Sequence, residues 1–183
     1  CQQTDIVAFT EGICRMFDFP AKERNIHFSF CHEELDRLDA WIDRTQFDKV
    51  ISNLLSNAFK YSDNDGEVTV NLKRIGNVEG DQTGNMLELS VSDNGIGIDN
   101  DSLKHIFDRF YQGSNSRRMH VNGTGIGLNL CKMIVAMHHG PIEAHNRSDT
   151  NGAVFTVRLP LGKDHLKPEE LETQAEIVQL NRR

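Results

Sequence analysis

Asn53, Asn57 and Lys60 stand within the run Asn53-Leu54-Leu55-Ser56-Asn57-Ala58-Phe59-Lys60-Tyr61-Ser62. At ~100° per residue on a helix they gather within roughly 60° of one another, away from an apolar stripe of Phe47, Ile51, Leu54 and Ala58. Two amides one turn apart, followed by a lysine, aim short carbonyl acceptors and one cation in the same direction. That combination suits a metal-bound polyphosphate. Magnesium keeps several waters and takes few protein ligands beside phosphates, so the Asn57 amide oxygen can complete its shell while Lys60 neutralises phosphate charge. The competing reading of this face is a surface helix whose asparagines meet only water.

Two glycine-bearing stretches offer complementary chemistry. Asp93-Asn94-Gly95-Ile96-Gly97-Ile98 directly follows an alternating apolar segment. A carboxylate followed by two glycines lets the backbone approach a flat ligand while Asp93 accepts from an amino group such as adenine N6. A strand-to-helix turn fits the same residues taken singly. Gly123-Thr124-Gly125-Ile126-Gly127-Leu128 runs into an apolar helix through Leu130, Ile134, Val135 and Met137. Glycines feeding a helix N-terminus expose unpaired amides to an anion, and the helix dipole adds to the attraction, so phosphate is the natural guest. A dinucleotide fold competes, helped by Glu143 twenty residues after Gly123. That motif needs a buried strand before its first glycine, which Arg118-Met119-His120-Val121-Asn122 is not, and Leu128 occupies the place of its last glycine.

The elements that must position these groups follow from periodicity. Residues 4–19 carry Ile6, Val7, Phe9, Ile13, Met16 and Phe17 at helical spacing, with Pro20 expected to close the run. Ile26, Phe28 and Phe30 alternate as in a half-buried strand, and a second short strand is expected at Ala40-Trp41-Ile42. Asp43 and Thr45 are suited to start the amide-bearing helix, which is expected to end near Ser62. Val68, Val70 and Leu72, then Leu87, Leu89 and Val91, predict an antiparallel hairpin with a long mobile loop from Asn77 to Asn85. Residues 101–111 are expected to form a short helix with Leu103, Ile106, Phe107 and Phe110 on one side, and Gly113 to Asn122 a mobile lid. Strands near Ile142 to His145 and Val154 to Leu159, joined by a turn at Asn151-Gly152, close the core. His138 and His139 end a helix, where cations are favoured. From Gly162 onward the chain is mostly charged and reads as a tail or linker, with Pro168, Glu169, Glu170 and Glu172 suggesting a helix start.

Bulk properties narrow the partners. The 183 residues suffice for one core, and the net charge of −7 with no basic run beyond Arg117-Arg118 speaks against nucleic acid. Cys1, Cys14, Cys31 and Cys131 form no CxxC pair, which argues against a zinc knuckle or disulfide framework and fits a reducing compartment. No apolar stretch approaches the ~20 residues of a membrane span, so the chain is expected to be soluble. Because it opens at Cys1 rather than methionine, it is expected to be an excised piece of something longer.

In order, the amide helix, Asp-x-Gly-x-Gly, Phe107-x-x-Phe110, lid and Gly-x-Gly-x-Gly resemble the catalytic ATP-binding domain of sensor histidine kinases, the Bergerat fold, over roughly residues 4–161. The resemblance implies an α/β two-layer sandwich, a mixed and mainly antiparallel sheet packed on helices, with an ATP lid. The expected domain is residues 1–162, followed by the tail 163–183. It also implies that Asn57 ligates magnesium, that Asn53 and Lys60 face phosphates, and that Arg109 reaches toward the γ-phosphate. Tyr61 would border the adenine, Asp93 accept from its N6 and Gly97 let the ring approach, with Gly95, Ile98, Phe110 and Leu128 in the same nucleotide-binding boxes. Gly123, Thr124, Gly125 and Gly127 would meet the phosphates, and Thr156 would support the adenine pocket. Two positions depart from the pattern: Thr150 stands where relatives often carry a glycine, and His139 where many have glycine. Asn53 stands where hydrolysing relatives such as gyrase have a glutamate base, which favours transfer to histidine over hydrolysis. The implied partners are ATP, Mg2+, a histidine-bearing dimerisation domain of the same parent and a response regulator receiver. A cytoplasmic location in a membrane-anchored sensor, a hybrid two-component system as its parent and a monomeric isolated chain are further expectations. No phosphoacceptor is recognised: His32-Glu33 lacks the following proline. A nucleotide-sensing docking module and a hydrolysing ATPase are the alternatives.

Overall fold

The computed structural model describes residues 1–32, 35–76, 85–113 and 124–171. Strand β1 (Gln2–Asp5) leads into helix α1 (Ile6–Arg15), and helix α2 (Asp18–Glu23) precedes strands β2 (His27–Cys31) and β3 (Asp39–Ile42). Helix α3 (Arg44–Tyr61) is followed by β4 (Glu67–Ile75) and β5 (Met86–Asp93), the single-turn α4 (Asn100–Leu103), helix α5 (Gly127–Met137), and strands β6 (Ile142–Asn146) and β7 (Ala153–Pro160). The main sheet has the order β2-β4-β5-β7-β6, parallel only between β2 and β4, while β1 and β3 form a separate antiparallel pair. This is the mixed sheet on helices that the sequence implies.

One face of the sheet is apolar because alternate side chains share a side. Val68, Val70, Leu72, Leu87, Leu89, Val91, Phe155, Val157 and Leu159 are buried there with the inward stripe of α3. That stripe is Phe47, Val50, Ile51, Leu54, Leu55, Ala58 and Phe59. Fully burying such side chains stabilises by roughly 1.5–3 kcal/mol each. Helix α3 starts where the Asp43 carboxylate accepts from the Gln46 N–H at 3.0 Å. It ends where the Ser62 hydroxyl returns to the Ala58 carbonyl at 2.7 Å. Arg24, from the turn before β2, donates to the Phe59 and Ser62 carbonyls and to Asn64 Oδ1, holding the orphan acceptors of the helix end. Phe17 and Phe28 pack their rings at 5.3 Å from Phe59 and fix the same end from the other side.

Two expectations need correction. The helical run over residues 4–19 divides into β1, α1 and α2, and Pro20 lies within the first turn of α2, where its missing N–H has no intrahelical partner to lose. The helix expected over 101–111 is one turn long. Ile106 and Phe107 do pack on the core, but Phe110 takes a left-handed φ of 65° and is 62% exposed. The described part of the C-terminal segment lies against the body: Leu166 is buried, Lys163 sits over the Trp41 ring, and Glu170 Oε1 meets His139 Nε2 at 3.2 Å. A short 3-10 turn forms at Pro168–Glu170. The Asn77–Asn85 loop up to residue 84, the lid from residue 114, and the rest of the tail from residue 172 lie outside the described residues.

Candidate nucleotide site

The inner face of α3 belongs to the core, so its polar face turns toward α5 and the loops after β5. There a hollow of about 250 Å³ is lined by Asn53, Asn57, Lys60 and Tyr61 of α3, by Asp93, Gly97 and Ile98, and by Thr124, Gly125, Gly127 and Leu128 at the entry to α5. Ser102, Tyr111, Ala153 and Phe155 complete much of the remaining wall. Residues as far apart in sequence as Asn53 and Phe155 thus share one cavity, with Asp93 and the amide helix both on it.

Asp93 ends β5 and is 4% exposed. Its Oδ1 accepts from the Gly95 N–H at 2.9 Å and from the Ala153 N–H at 3.3 Å, and the carboxylate lines the cavity, where Oδ2 can meet a ligand. Burial raises its pKa above the ordinary 3.8, against the two amides and Arg147, which lower it. Two glycines allow this geometry. A Cβ at Gly95 would lie 2.1 Å from the Tyr61 carbonyl oxygen, and one at Gly152, where φ is +124°, would lie 1.9 Å from the Asp93 carbonyl oxygen. The corner is also tied to β4, since the Asn94 side chain accepts from the Glu67 N–H at 2.7 Å while its own N–H donates to the Glu67 carbonyl at 3.1 Å.

At the other end, α5 begins at Gly127 after Ile126, and no side chain caps its first turn. Its orphan N–H groups and positive dipole end therefore adjoin the cavity. A Cβ on Gly127 would come within 2.9 Å of Asn53 Oδ1, so α5 and α3 approach closely here. The Asn53 amide nitrogen donates back to the Lys49 carbonyl at 2.8 Å, which leaves its oxygen directed away from its own helix. Lys60 lies 5.5 Å from the Tyr61 ring centroid, and partial burial lowers its pKa. Phe110 donates its N–H to the Gly125 carbonyl at 2.9 Å, and Asn129 donates to the Phe107 carbonyl at 3.0 Å, so the 107–111 segment and the start of α5 are latched together.

Several expected site residues are placed elsewhere. Thr156 projects to the opposite face of β7 from Ala153 and Phe155, because neighbours on a strand alternate; the pocket wall at β7 is Ala153 and Phe155. Arg109 stacks over the Phe110 ring at 4.8 Å, and neither lines the cavity. Gly95 serves packing behind Asp93 rather than the wall itself. Gly123 lies outside the described residues. Thr150 borders a second hollow behind the Gly97 segment, and Gly152 makes the tight approach to Asp93. In the sequence Asn151-Gly152 signals the turn but not the contact that Gly152 makes with Asp93.

A metal here would have few protein ligands: among the described residues no group of three His, Cys, Asp or Glu side chains could hold an ion. The amide of Asn57 beside Lys60 fits a hard cation that takes most of its ligands from phosphates and water. Among the described residues no helix is long and apolar enough to cross a membrane.

Comparison with known proteins agrees with this arrangement. Residues 42–163 match the family described as histidine kinase-, DNA gyrase B-, and HSP90-like ATPase. Histidine kinase P4 of Formosa agariphila is 30% identical over 91% of this chain, which spans 12% of that protein. Sensor histidine kinase YvrG of Bacillus subtilis is 30% identical over 84% of this chain and 25% of its own length. The chain therefore spans a quarter or less of these two curated relatives. The nucleotide-free catalytic domain of histidine kinase ThkA superposes with a TM-score of 0.70 at 26% identity, over 87% of this chain and 96% of that one.

Proposed function

Because the chain belongs to the histidine kinase-, DNA gyrase B-, and HSP90-like ATPase family, as a catalytic ATP-binding domain of the sensor histidine kinase kind, we propose that it binds Mg-ATP and presents the γ-phosphoryl group to a histidine on a separate dimerisation domain. The observation that carries this reading is a single cavity with a buried carboxylate at one end and, at the other, Asn57, Lys60 and an uncapped helix N-terminus. Asp93 Oδ2 would accept from the adenine amino group, Gly97 and Ile98 would flank the ring, and Tyr61 would border it. Thr124, Gly125 and Gly127 would offer backbone amides to the phosphates, and Lys60 would neutralise charge there. Asn57 would hold magnesium, which when bound neutralises charge shared by the β- and γ-phosphates.

Asn53 supports transfer over hydrolysis. Its amide cannot take a proton from water, whereas a neutral imidazole nitrogen attacks without prior deprotonation. The histidine and the receiver domain that would take the phosphoryl group next are expected on other parts of the parent or on a second protein. ThkA has been solved in complex with the response regulator protein TrrA, which supports a receiver as partner.

Calorimetric titration with ATP analogues, with and without magnesium, tests the reading. Asp93→Ala is expected to weaken binding in both conditions, and Asn57→Ala mainly the magnesium-dependent part. Phosphotransfer to a supplied dimerisation domain then separates a kinase from a docking module. Steady phosphate release without that domain would instead favour an ATPase.

A further inference from the structure

The wall beside Asp93 is made by a segment with little regular structure. Ile96, Gly97 and Ile98 run between the end of β5 and α4, and Gly97 has a φ of +70°. Behind this segment lies the second hollow, of about 230 Å³, bordered across from it by Asn146, Arg147 and Gly152. The Ile98 side chain packs on the core, while its backbone faces this hollow. One side chain reaches across it to both polar groups of Ile98. Asn146, the last residue of β6, accepts from the Ile98 N–H through Oδ1 at 2.7 Å and donates from Nδ2 to the Ile98 carbonyl at 2.6 Å. Both polar groups of one backbone residue are met by one carboxamide, and the donor–acceptor pairing fixes which way that amide faces. A Cβ on Gly97 would stand 3.0 Å from the same Oδ1, so the clamp also closes on the preceding peptide.

We propose that Asn146 is a positioning residue for base recognition: by clamping Ile98 it sets the distance between the Gly97-Ile98 wall and the Asp93 carboxylate, and so the fit of the slot for adenine. The inference rests on the nucleotide-binding reading and deepens it. Asn146 is not on the wall of the nucleotide cavity, so it acts only through Ile98. Alanine at 146 offers neither bond. Aspartate keeps an acceptor for the Ile98 N–H but sets an anionic oxygen against the Ile98 carbonyl. The side chain is exposed, so neither change empties the core.

The test titrates adenosine, a Mg-ATP analogue and a GTP analogue into the natural chain, N146A and N146D, and records the Ile98 amide proton and nitrogen shifts of each. Loss of positioning is expected to weaken adenosine and the ATP analogue by the same factor of about tenfold, the scale of one or two net hydrogen bonds. Discrimination against the GTP analogue should narrow, the Ile98 amide proton should move upfield in N146A, and the thermal midpoint should change by no more than a few degrees. Adenosine affinity within twofold of the natural chain in both variants, with the Ile98 amide shifted, overturns the inference while leaving the nucleotide reading in place. Failure of the natural chain to bind either adenine ligand overturns that reading, and the inference with it.

Discussion

Asp93 sits under two opposed demands, burial that favours its proton and a ligand that needs its lone pairs. Its folded pKa is raised above 3.8, mainly by burial, so between 3.8 and the raised value the folded chain holds more protons than the unfolded one. Stability contributed by this group consequently falls as pH rises through that window, whereas adenine affinity rises as the carboxylate ionises. Asp93→Asn keeps Oδ1 for Gly95 and Ala153 but turns a donor toward the base. It is expected to lose most adenine binding by calorimetry while keeping or raising the thermal midpoint at pH 7, and to erase the titration of affinity at low pH. Gly95→Ala should act oppositely. Its methyl group would meet the Tyr61 carbonyl at 2.1 Å, so a loss of about 1–3 kcal/mol from overpacking is expected in denaturant melts. Asp93, Asn57 and Lys60 were legible in the sequence because each belongs to a short local pattern. Asn146 and Ala153 were not, since their partners lie 48 and 60 positions away and no local spacing marks them.

At the scale of elements, α3 is held at both ends by side chains from elsewhere, and this keeps its polar face in register with α5. At its start, His138 at the end of α5 accepts from the Asp43 N–H through Nε2 at 3.0 Å and donates from Nδ1 to the Ile134 carbonyl at 2.7 Å. The ring is a neutral, fully bonded tautomer, and burial lowers its pKa below 6.5. The expectation that a cation is favoured at this helix end fails for His138, because desolvation outweighs the dipole. His139 beside it occupies the left-handed C′ position with φ 59°, the place where glycine costs least. Because the unfolded chain takes up a proton at His138 more readily than the folded one, its contribution is fully present above pH 6.5 and declines as pH falls below it. His138→Phe is expected to flatten that slope and to cost about 1–3 kcal/mol for the unpaired Asp43 N–H. At the other end, Arg24→Ala removes charged donors from the carbonyls of Phe59 and the capping Ser62, and a loss of about 1.5–3 kcal/mol is expected by thermal melting. Helix α3 and the β4–β5 hairpin were legible because their apolar periods of 3.6 and 2 continue over many residues. The break between α1 and α2 and the single turn of α4 were not, because tertiary contacts there override a helical pattern: Phe17 at the break packs on Phe59, and after α4 Phe107 packs edge-on to Phe155 while Phe110 is pulled to Gly125.

Across the whole molecule, the cavity is where α3, the β5–α4 loop and α5 meet, so a ligand that touches all three should stabilise the fold as a unit. Ligand at 100 times its dissociation constant adds ~2.7 kcal/mol, which for a chain of this size is a rise of roughly 5–10 °C in the thermal midpoint. The rise should vanish for Asp93→Ala at the same concentration, a result that would follow only if base recognition and phosphate binding belong to one site. The same geometry bears on where the phosphoryl group goes. None of the described residues lining the cavity is a histidine. His138 is buried with both ring nitrogens engaged, and His139 meets Glu170 and His165 beside the C-terminal segment. In-line transfer needs a nucleophile within about 3–3.5 Å of the reacting phosphorus, held there rather than diffusing. Incubated alone with labelled Mg-ATP, the chain is therefore expected to yield no acid-labile phosphohistidine, and addition of a dimerisation domain bearing a histidine should restore it. Label retained by the isolated chain would mean that one of its own histidines reaches the cavity, and the separation of donor from acceptor proposed for this domain would have to be given up.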